Sequence, residues 1–545
     1  MGIEIEDKFD VPPDYAIPDL SKLGEISGPK SYQLVALYYD TPDLRLATRG
    51  VTLRRRRGGN DAGWHLKLPK AKGVRQEITR PLTRSTKIVP PELAELVRAY
   101  TRGAELQVVA ELDTRRTVTL LHDGPTGLVE IADDRVKGTV FANKPNKPNQ
   151  LNRPKAPDAA DAADAADAAD AAAKPDTAGE PDAADRPAAE GEQDAPDESR
   201  VARWREVEAE LLGGDQALLA KVGKRLMKAG ATPSAAASKL ARLLEPPPPA
   251  QALTKDGTAG QIVINYLAGQ VTALLSQDPR VRRAEEDAVH QMRVAARRLR
   301  SALKAFDTIV TGTKPVQDEL RWLGTTLGEA RDLEVIRARF ARELAVLAPE
   351  LVTGPILTRL GEDLLAREHE AYERIKEALS GERYYALLEA LDTLAATPRL
   401  TKAAAKPAED KLSDVAAGSW DRVTKAYDTA QAISDLERRE IAMHDVRKAA
   451  KRARYTAEAL QPTLGRSMAK LAKHAAAVQE VLGTHQDGVV AQETLAKEAE
   501  TARQAGEDTF TYGLLIGLER GTAERAHADF PRVWAETVQA IGKLL

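Results

Sequence analysis

Cysteine is absent from the 545 residues, which excludes disulfide frameworks, zinc-thiolate centres, iron–sulfur clusters and cysteine nucleophiles. A reducing compartment is consistent with that absence. No uninterrupted apolar run approaches the roughly 18 residues that span a bilayer, and the acidic start Met1-Gly-Ile-Glu-Ile-Glu-Asp-Lys8 has no apolar stretch of the kind an export signal needs. A soluble, cytoplasmic protein with no membrane partner is expected. An excess of one charge is missing as well: Lys+Arg number 79 against Asp+Glu 82, a formal charge of −3. Any electrostatic recognition must therefore be local. What is present is 43% hydrophobic and 30% charged residues, enough apolar material for sizeable cores; at roughly 150 residues per domain the length suggests about three or four units.

Composition changes abruptly along the chain. Residues 1 to about 140 carry short alternating runs such as Val51-Thr-Leu-Arg-Arg-Arg-Arg57, Trp64-His-Leu-Lys-Leu68 and Arg116-Thr-Val-Thr-Leu-Leu121. Gly, Pro, Asp and Asn clusters separate them, the period-two signature of strands and turns. Residues 143–199 are Pro, Ala and Asp, including the repeated Asp-Ala-Ala triplets from Asp158. Such a segment buries too little surface to offset its ordering entropy, and a disordered acidic insertion is expected. Strand text returns at Trp204-Arg-Glu-Val-Glu-Ala-Glu-Leu-Leu212, then helical text runs to Leu244 and Pro246 to Pro249 stop it. From there the sequence reads as long helices, among them Gln261 to Leu275, Glu285 to Ile309 and Met443 to Leu460. The expected organisation is an α+β multidomain chain: a β-rich domain over 1–244 interrupted by 143–199, a Pro-rich linker over 245–257, and an all-α domain over 258–545.

The β-rich half places charge where strands usually bury apolar groups. Glu4, Glu6 and Lys8 alternate on one face of the opening strand. An amphipathic edge strand has the same pattern, but the oddity recurs: Arg54 and Arg56, Lys67, Arg75 with Glu77, and Arg116 continue a basic set. Glu130 and Asp134, then Glu206, Glu208 and Glu210, form acidic ones. A closed barrel with these side chains inside would face basic walls with acidic ones, at high cost unless ions or counter-charges paired them. A polyanion with a divalent metal supplies both, since carboxylates suit Mg²⁺ or Mn²⁺ and Arg and Lys suit phosphate oxygens.

The ordered set Glu4-x-Glu6-x-Lys8, Tyr39-Asp-Thr-Pro42, Leu53-Arg54-x-Arg56, Lys67, Arg75-x-Glu77 and Glu206-x-Glu208-x-Glu210 resembles the CYTH family, the triphosphate tunnel metalloenzymes. The resemblance covers residues 1–244 and implies an eight-stranded antiparallel barrel forming a tunnel. It also implies triphosphate held by Lys8, Arg54, Arg56, Lys67, Arg75 and Arg116, and metal held by Glu4, Glu6, Asp134, Glu206 and Glu208. Glu4, Glu6 and Lys8 are the residues it places closest to catalysis. The implied reaction is in-line attack of a metal-positioned water on the terminal phosphorus. One departure lies at Leu112-Asp-Thr-Arg-Arg116, where Thr114 stands in register with a basic position of the family and the choice between Arg115 and Arg116 stays open.

The helical half repeats itself. His290, Arg293, Arg297 and Arg300 share their spacing with His444, Arg447, Lys451 and Arg454, 154 residues on; Leu327-Gly-Glu-Ala-Arg-Asp332 and Leu482-Gly-Thr-His-Gln-Asp487 are 155 apart. At about 100° per residue each set of four falls within an arc of roughly 80°, one basic stripe. Arg293, Arg297, Arg298, Arg300 and Lys304 have no acidic residue among them, so pairing within the helix is unavailable. Two halves meeting about a pseudo-twofold axis would line one electropositive groove, although each histidine alone is also compatible with capping or packing. These helices resemble the CHAD domain, over about 258–540, which implies a helical bundle binding inorganic polyphosphate through His290, Arg293, Arg297, Arg300, His444, Arg447, Lys451 and Arg454. Arg331 and His485 are further candidates, and association with polyphosphate granules follows as an expectation.

The leading expectation is a metal-dependent hydrolase of inorganic triphosphate, or a related triphosphate, tethered to a polyphosphate-binding module. The alternatives are a non-catalytic polyphosphate-binding protein and an adenylate cyclase. Nucleic acid is disfavoured as a partner, because the basic stripes carry no interleaved aromatic stacking platform and no nucleic-acid motif.

Overall fold

The computed structural model describes residues 2–71, 73–141, 200–244 and 257–544. The expected disordered insertion at 143–199, and all of the expected linker except Gly257, lie outside the described residues.

Eight antiparallel strands close a barrel: β1 (Gly2–Asp10), β2 (Glu25–Asp40), β3 (Thr52–Arg57), β4 (Gly63–Ala71), β5 (Val74–Arg80), β6 (Gln107–Asp123), β7 (Thr126–Val140) and β8 (Arg200–Leu211). Around the wall they run β5-β4-β3-β2-β6-β7-β8-β1, and β1 pairs back to β5. The strand beyond the Ala/Asp-rich insertion completes the wall, since β8 pairs with β7 (Asp134 opposite Glu206) and with β1 (Lys8 opposite Glu208). A two-residue strand, β9 (Thr232–Pro233), adds to β1.

The period of two sorts the barrel residues between an ionic interior and an apolar exterior. In β3, Arg54 and Arg56 point in, while Leu53 points out. At the β3–β4 turn Gly58 adopts φ +83°, and an added β-carbon would collide with the Gln33 carbonyl oxygen, so only glycine fits. Outward-facing Leu53, Trp64, Leu66 and Ile78 are buried against helix α2 (Pro91–Thr101), which follows the short helix α1 (Arg45–Thr48). Each large side chain so buried contributes about 1.5–3 kcal/mol. The far side of the wall packs Phe9, Leu121, Ile131 and Val207 on α3 (Gln216–Lys228). At one end, Leu240 and Leu243 of α4 (Lys239–Leu244) pack with Ala36, Leu112 and Val136.

The rest is helical: α5 (Ala259–Arg282), α6 (Ala288–Ala305), α7 (Lys314–Ala345), α8 (Leu364–Leu379), α9 (Glu382–Ala396), α10 (Ala408–Gln431), α11 (Leu436–Leu464), α12 (Arg466–Gln504) and α13 (Phe510–Ile541). A capping box starts α5: Gln261 N–H donates to the Thr258 hydroxyl at 3.3 Å, and Thr258 N–H donates to the Gln261 side chain at 2.9 Å. The repeat in the sequence becomes a repeat of helices, with α5 to α8 and α10 to α13 each packing in consecutive pairs and α6 touching α11 across the middle.

The two domains share one core. Apolar residues of the barrel's outer face and α2 are continuous with those of α5, α6 and α9. Polar contacts fasten the seam: Tyr100 Oη donates to the Leu275 carbonyl at 3.3 Å, Arg102 pairs with Asp392 at 2.6 Å, and Arg282 reaches Glu95.

Candidate functional site

The barrel encloses a cavity of about 330 Å³. Glu4, Glu6 and Lys8 line it from β1, Arg54 and Arg56 from β3, Lys67 from β4, Arg75 and Glu77 from β5, Arg116 from β6, Glu130 from β7, and Glu208 and Glu210 from β8. Alternation along each strand brings them together. It also decides between the two neighbouring arginines of β6: Arg116 points in and Arg115 is exposed.

The walls are segregated by charge. On the acidic side Arg116 forms a fork on Asp134 at 2.9 and 2.7 Å and reaches Glu208 at 2.6 Å. Lys8 pairs with Glu6 at 2.7 Å and with Glu208. Lys239, at the start of α4, lies among Asp134, Glu206 and Glu208 at 2.9, 2.8 and 2.6 Å. Burial opposes ionisation of Glu208, yet Lys239, Lys8 and Arg116 hold it well below the carboxylate range and are themselves kept charged. On the basic side Arg54 contacts the Tyr38 hydroxyl at 3.4 Å, and His65 at 2.9 Å and Lys67 at 3.7 Å both face Glu77. Against the cost of burial, those neighbours and Arg54 hold Glu77 at about 2. Arg56 reaches Asp61 at the tunnel mouth, but burial, then Arg54 and Arg116, push it down to about 9. The Nε atoms of Arg54 and Arg56 are buried without a hydrogen-bond partner among the described residues.

The donors fit a hard divalent ion. One oxygen each from buried Asp134, Glu206 and Glu208 lies within 4.8 Å of the others, an all-oxygen set of the kind Mg²⁺ and Mn²⁺ prefer. Glu4 Oε2 is buried without a partner. Glu210 is raised to about 7 by burial and then by the Glu4, Glu6 and Glu130 carboxylates, a second place where positive charge is wanted. The five carboxylates named as metal ligands thus divide: Asp134, Glu206 and Glu208 form one cluster, while Glu4 pairs with Lys67 and Glu6 with Lys8.

On the helical domain the two stripes meet where α6 touches α11. His290, Arg293, Arg297 and Arg300 on α6, and His444, Arg447, Lys451 and Arg454 on α11, are all half-buried. The twin Leu-Gly-x-x-x-Asp motifs act on them: Asp332 pairs with Arg293 at 2.7 Å and Asp487 approaches Arg447 at 4.0 Å. Gly328 and Gly483 leave room for those guanidinium groups, each 3.5 Å from where a β-carbon would stand. Arg298 and Arg454 share Glu458, at 3.0 and 2.7 Å, so the stripe is partly paired between helices where pairing within α6 is absent. The remaining cations repel. Burial, then Arg297, Arg447, Arg293 and Arg300, pull the Lys451 ammonium down to about 7. Arg297 and Arg300 are lowered by burial and by neighbouring charge, and the two stripe histidines are lowered by burial first. Of the further candidates, Arg331 pairs with Glu334 at 2.7 Å, and His485 faces α13.

Several residues here are not in the motif set. Lys239 is the chief one; its signal is Ser238-Lys-Leu-Ala-Arg242, where Lys239 and Arg242 share a helix face and both reach Glu206. His65 sits two residues before Lys67 on the same face of β4. Arg321 and Arg422 extend the helical basic face from α7 and α10: Lys304 is lowered by Arg452 first, then by burial, Arg300, Arg422 and Arg321, and Arg452 by burial and then Arg422.

Comparison with known proteins gives two family matches, a CYTH domain over residues 2–149 and a CHAD domain over 265–496. Mycobacterium tuberculosis (strain CDC 1551 / Oshkosh) has an uncharacterized protein, MT2285, 36% identical over 555 residues, covering 99% of this chain and 97% of that one. Among solved structures, PptA from Streptomyces chartreusis is 22% identical with a TM-score of 0.41, covering 51% of this chain and all of that one. The CHAD domain from the plant Ricinus communis is 26% identical with a TM-score of 0.43, covering 53% and 94%.

Proposed function

The chain belongs to the proteins that join a CYTH domain to a CHAD domain, and from that premise we propose that the barrel hydrolyses inorganic triphosphate, or a related triphosphate, with a divalent metal, while the helical domain holds inorganic polyphosphate. The observation that carries the reading is one cavity lined by Arg54 and Arg56, whose Nε atoms have no partner among the described residues, and by Glu208, the member of the Asp134, Glu206 and Glu208 oxygen cluster that opens onto it.

In this reading Arg54, Arg56, Lys67 and Arg75 grip the non-bridging phosphate oxygens and fix the terminal phosphorus for in-line attack. Lys8 and Arg116, held among the carboxylates, stabilise charge on the group being transferred. A Mg²⁺ or Mn²⁺ ion held by Asp134, Glu206 and Glu208 would neutralise phosphate charge and position a water when bound. Lys239 supplies the positive charge among those carboxylates in the free protein, and a metal held by the same three oxygens would have to displace it. Water adds to the terminal phosphorus, the bridging P–O bond breaks, and orthophosphate and pyrophosphate leave. On the helical domain the cations not fully compensated by carboxylates, Lys451, Arg297 and Arg300 foremost, bind the polyanion.

The test is phosphate release from tripolyphosphate, ATP and long-chain polyphosphate with Mg²⁺ or Mn²⁺, beside Glu6→Gln and Arg56→Ala variants. Release from tripolyphosphate that both variants lose supports the hydrolase. The position of Lys239 also favours a second reading, a barrel that only grips phosphate: an ammonium already satisfies the acidic cluster. Tight tripolyphosphate binding with no product of any kind would select it. Cyclic nucleotide with pyrophosphate from ATP would select a cyclase instead.

A further inference from the structure

At the His444 and Arg447 end of the helical basic face, three helices bring Glu440 (α11), His485 (α12) and His527 (α13) to one point. One ligand atom from each lies within 4.8 Å of the others. His527 Nδ1 is 3.5 Å and His485 Nδ1 3.9 Å from the two oxygens of Glu440, and the imidazole centroids are 5.5 Å apart. The Glu440 separations are long for hydrogen bonds, so the carboxylate and the rings converge without satisfying one another. In a tetrahedral site with bonds of about 2.0–2.1 Å, ligand atoms stand about 3.3–3.5 Å apart. Glu440 and His527 are exposed and so not held in place by packing.

We infer that Glu440, His485 and His527 form a second metal site, for a borderline transition ion of the Zn²⁺ class. Two imidazoles and one carboxylate make a donor set unlike the barrel's three carboxylates, and imidazole selects Zn²⁺ over Mg²⁺. The small cavity beside the three donors, lined by His444, Arg447 and Phe530 among others, leaves a fourth position open to water or an anion. The internal repeat does not require the cluster: aligned on the Leu-Gly motifs, the first half carries Ala330 where the second carries His485. An ion here adds positive charge beside His444 and Arg447. That consequence rests on the polyphosphate reading; the metal site does not.

The experiment is a Zn²⁺ titration of the full-length, chelator-stripped protein in excess Mg²⁺, without polyphosphate, with Co²⁺ absorption reporting coordination. One tight site with a tetrahedral Co²⁺ spectrum is expected. Affinity falls at least tenfold in His485→Ala and in His527→Ala, and is unchanged in the exposed control His369→Ala, with circular dichroism confirming the fold of each. Equal binding by wild type and the His485→Ala/His527→Ala double variant, equal loss in the control, or no Zn²⁺ uptake by wild type overturns the site.

Discussion

The barrel interior and the α6/α11 face are both built from Arg and Lys, yet their electrostatics are opposite. On the carboxylate side of the barrel the charges of Lys8, Arg116 and Lys239 are reinforced by the acids around them, Arg56 on the other side being the barrel cation that burial and then Arg54 and Arg116 lower. On the helical face Arg297, Arg300 and Lys451 are surrounded by one another, and each is lowered. A barrel of this kind is held together by its charges and exchanges them for a ligand carrying both signs, a polyanion with a cation. The helical face is strained by its charges and needs only an anion. Folding tolerates that strain because the opposite sides of α6 and α11 are buried in the core the two domains share.

The contrast is broken most severely by removing a charge from each side. Glu208→Gln takes one carboxylate from Lys8, Arg116 and Lys239 at once. Breaking a buried pair costs about 3–5 kcal/mol, so thermal unfolding should show a clear fall in Tm together with loss of triphosphate hydrolysis. Polyphosphate binding should be unchanged. Arg300→Met is the opposing experiment. Arg300 is lowered by burial and by Arg321, Arg297 and Arg452, so its neutralisation should leave Tm unchanged or higher. One charge-assisted contact is worth about 1.5–3 kcal/mol, so polyphosphate affinity should drop by at least about tenfold in a titration. A fall in Tm for both variants would erase the distinction.

Salt sharpens the same contrast more gently. Polyanion binding to half-buried cations on an open face is weakened by counterions. Raising salt from about 50 to 200 mM should therefore lower polyphosphate affinity steeply, while the KM for triphosphate, read in an enclosed cavity, shifts less.

The difference between the regions also explains what was legible in the sequence. Barrel side chains alternate with period two, so local text announces the charged faces of Glu4 and Glu6, Arg54 and Arg56, and Glu208, while their shared interior is what the family resemblance implies; the helical repeat announces α6 and α11 with their twin glycines and aspartates. Lys239 escapes because it lies on a six-residue helix outside the wall, where the one Lys239 and Arg242 spacing reads equally as a solvated helix face. The seam between domains is equally silent. Arg102 to Asp392 and Tyr100 to Leu275 join residues whose proximity depends on how α2 docks, which no spacing encodes. The split of the five carboxylates has the same origin: strand register, set by β8 pairing with both β7 and β1, decides which acids cluster.

The finest test uses protons. With burial and the Arg297, Arg447, Arg293 and Arg300 guanidinium groups holding Lys451 at about 7, a free protein at pH 8 carries it mostly neutral. A bound polyanion restores the charge, so binding at pH 8 should take up protons, seen as a dependence of binding heat on buffer ionisation enthalpy, and affinity should decline as pH rises through 7 to 9. Stability without ligand has the opposite slope. The unfolded chain, with lysine near 10.4, binds more protons than the native one between about 7 and 10, so this group makes unfolding harder as pH rises through that window. Lys451→Met should flatten both slopes. Lys451→Arg, which keeps its charge throughout, should abolish proton uptake while retaining affinity at pH 9, an outcome that separates an ammonium poised by repulsion from one that is merely half-buried.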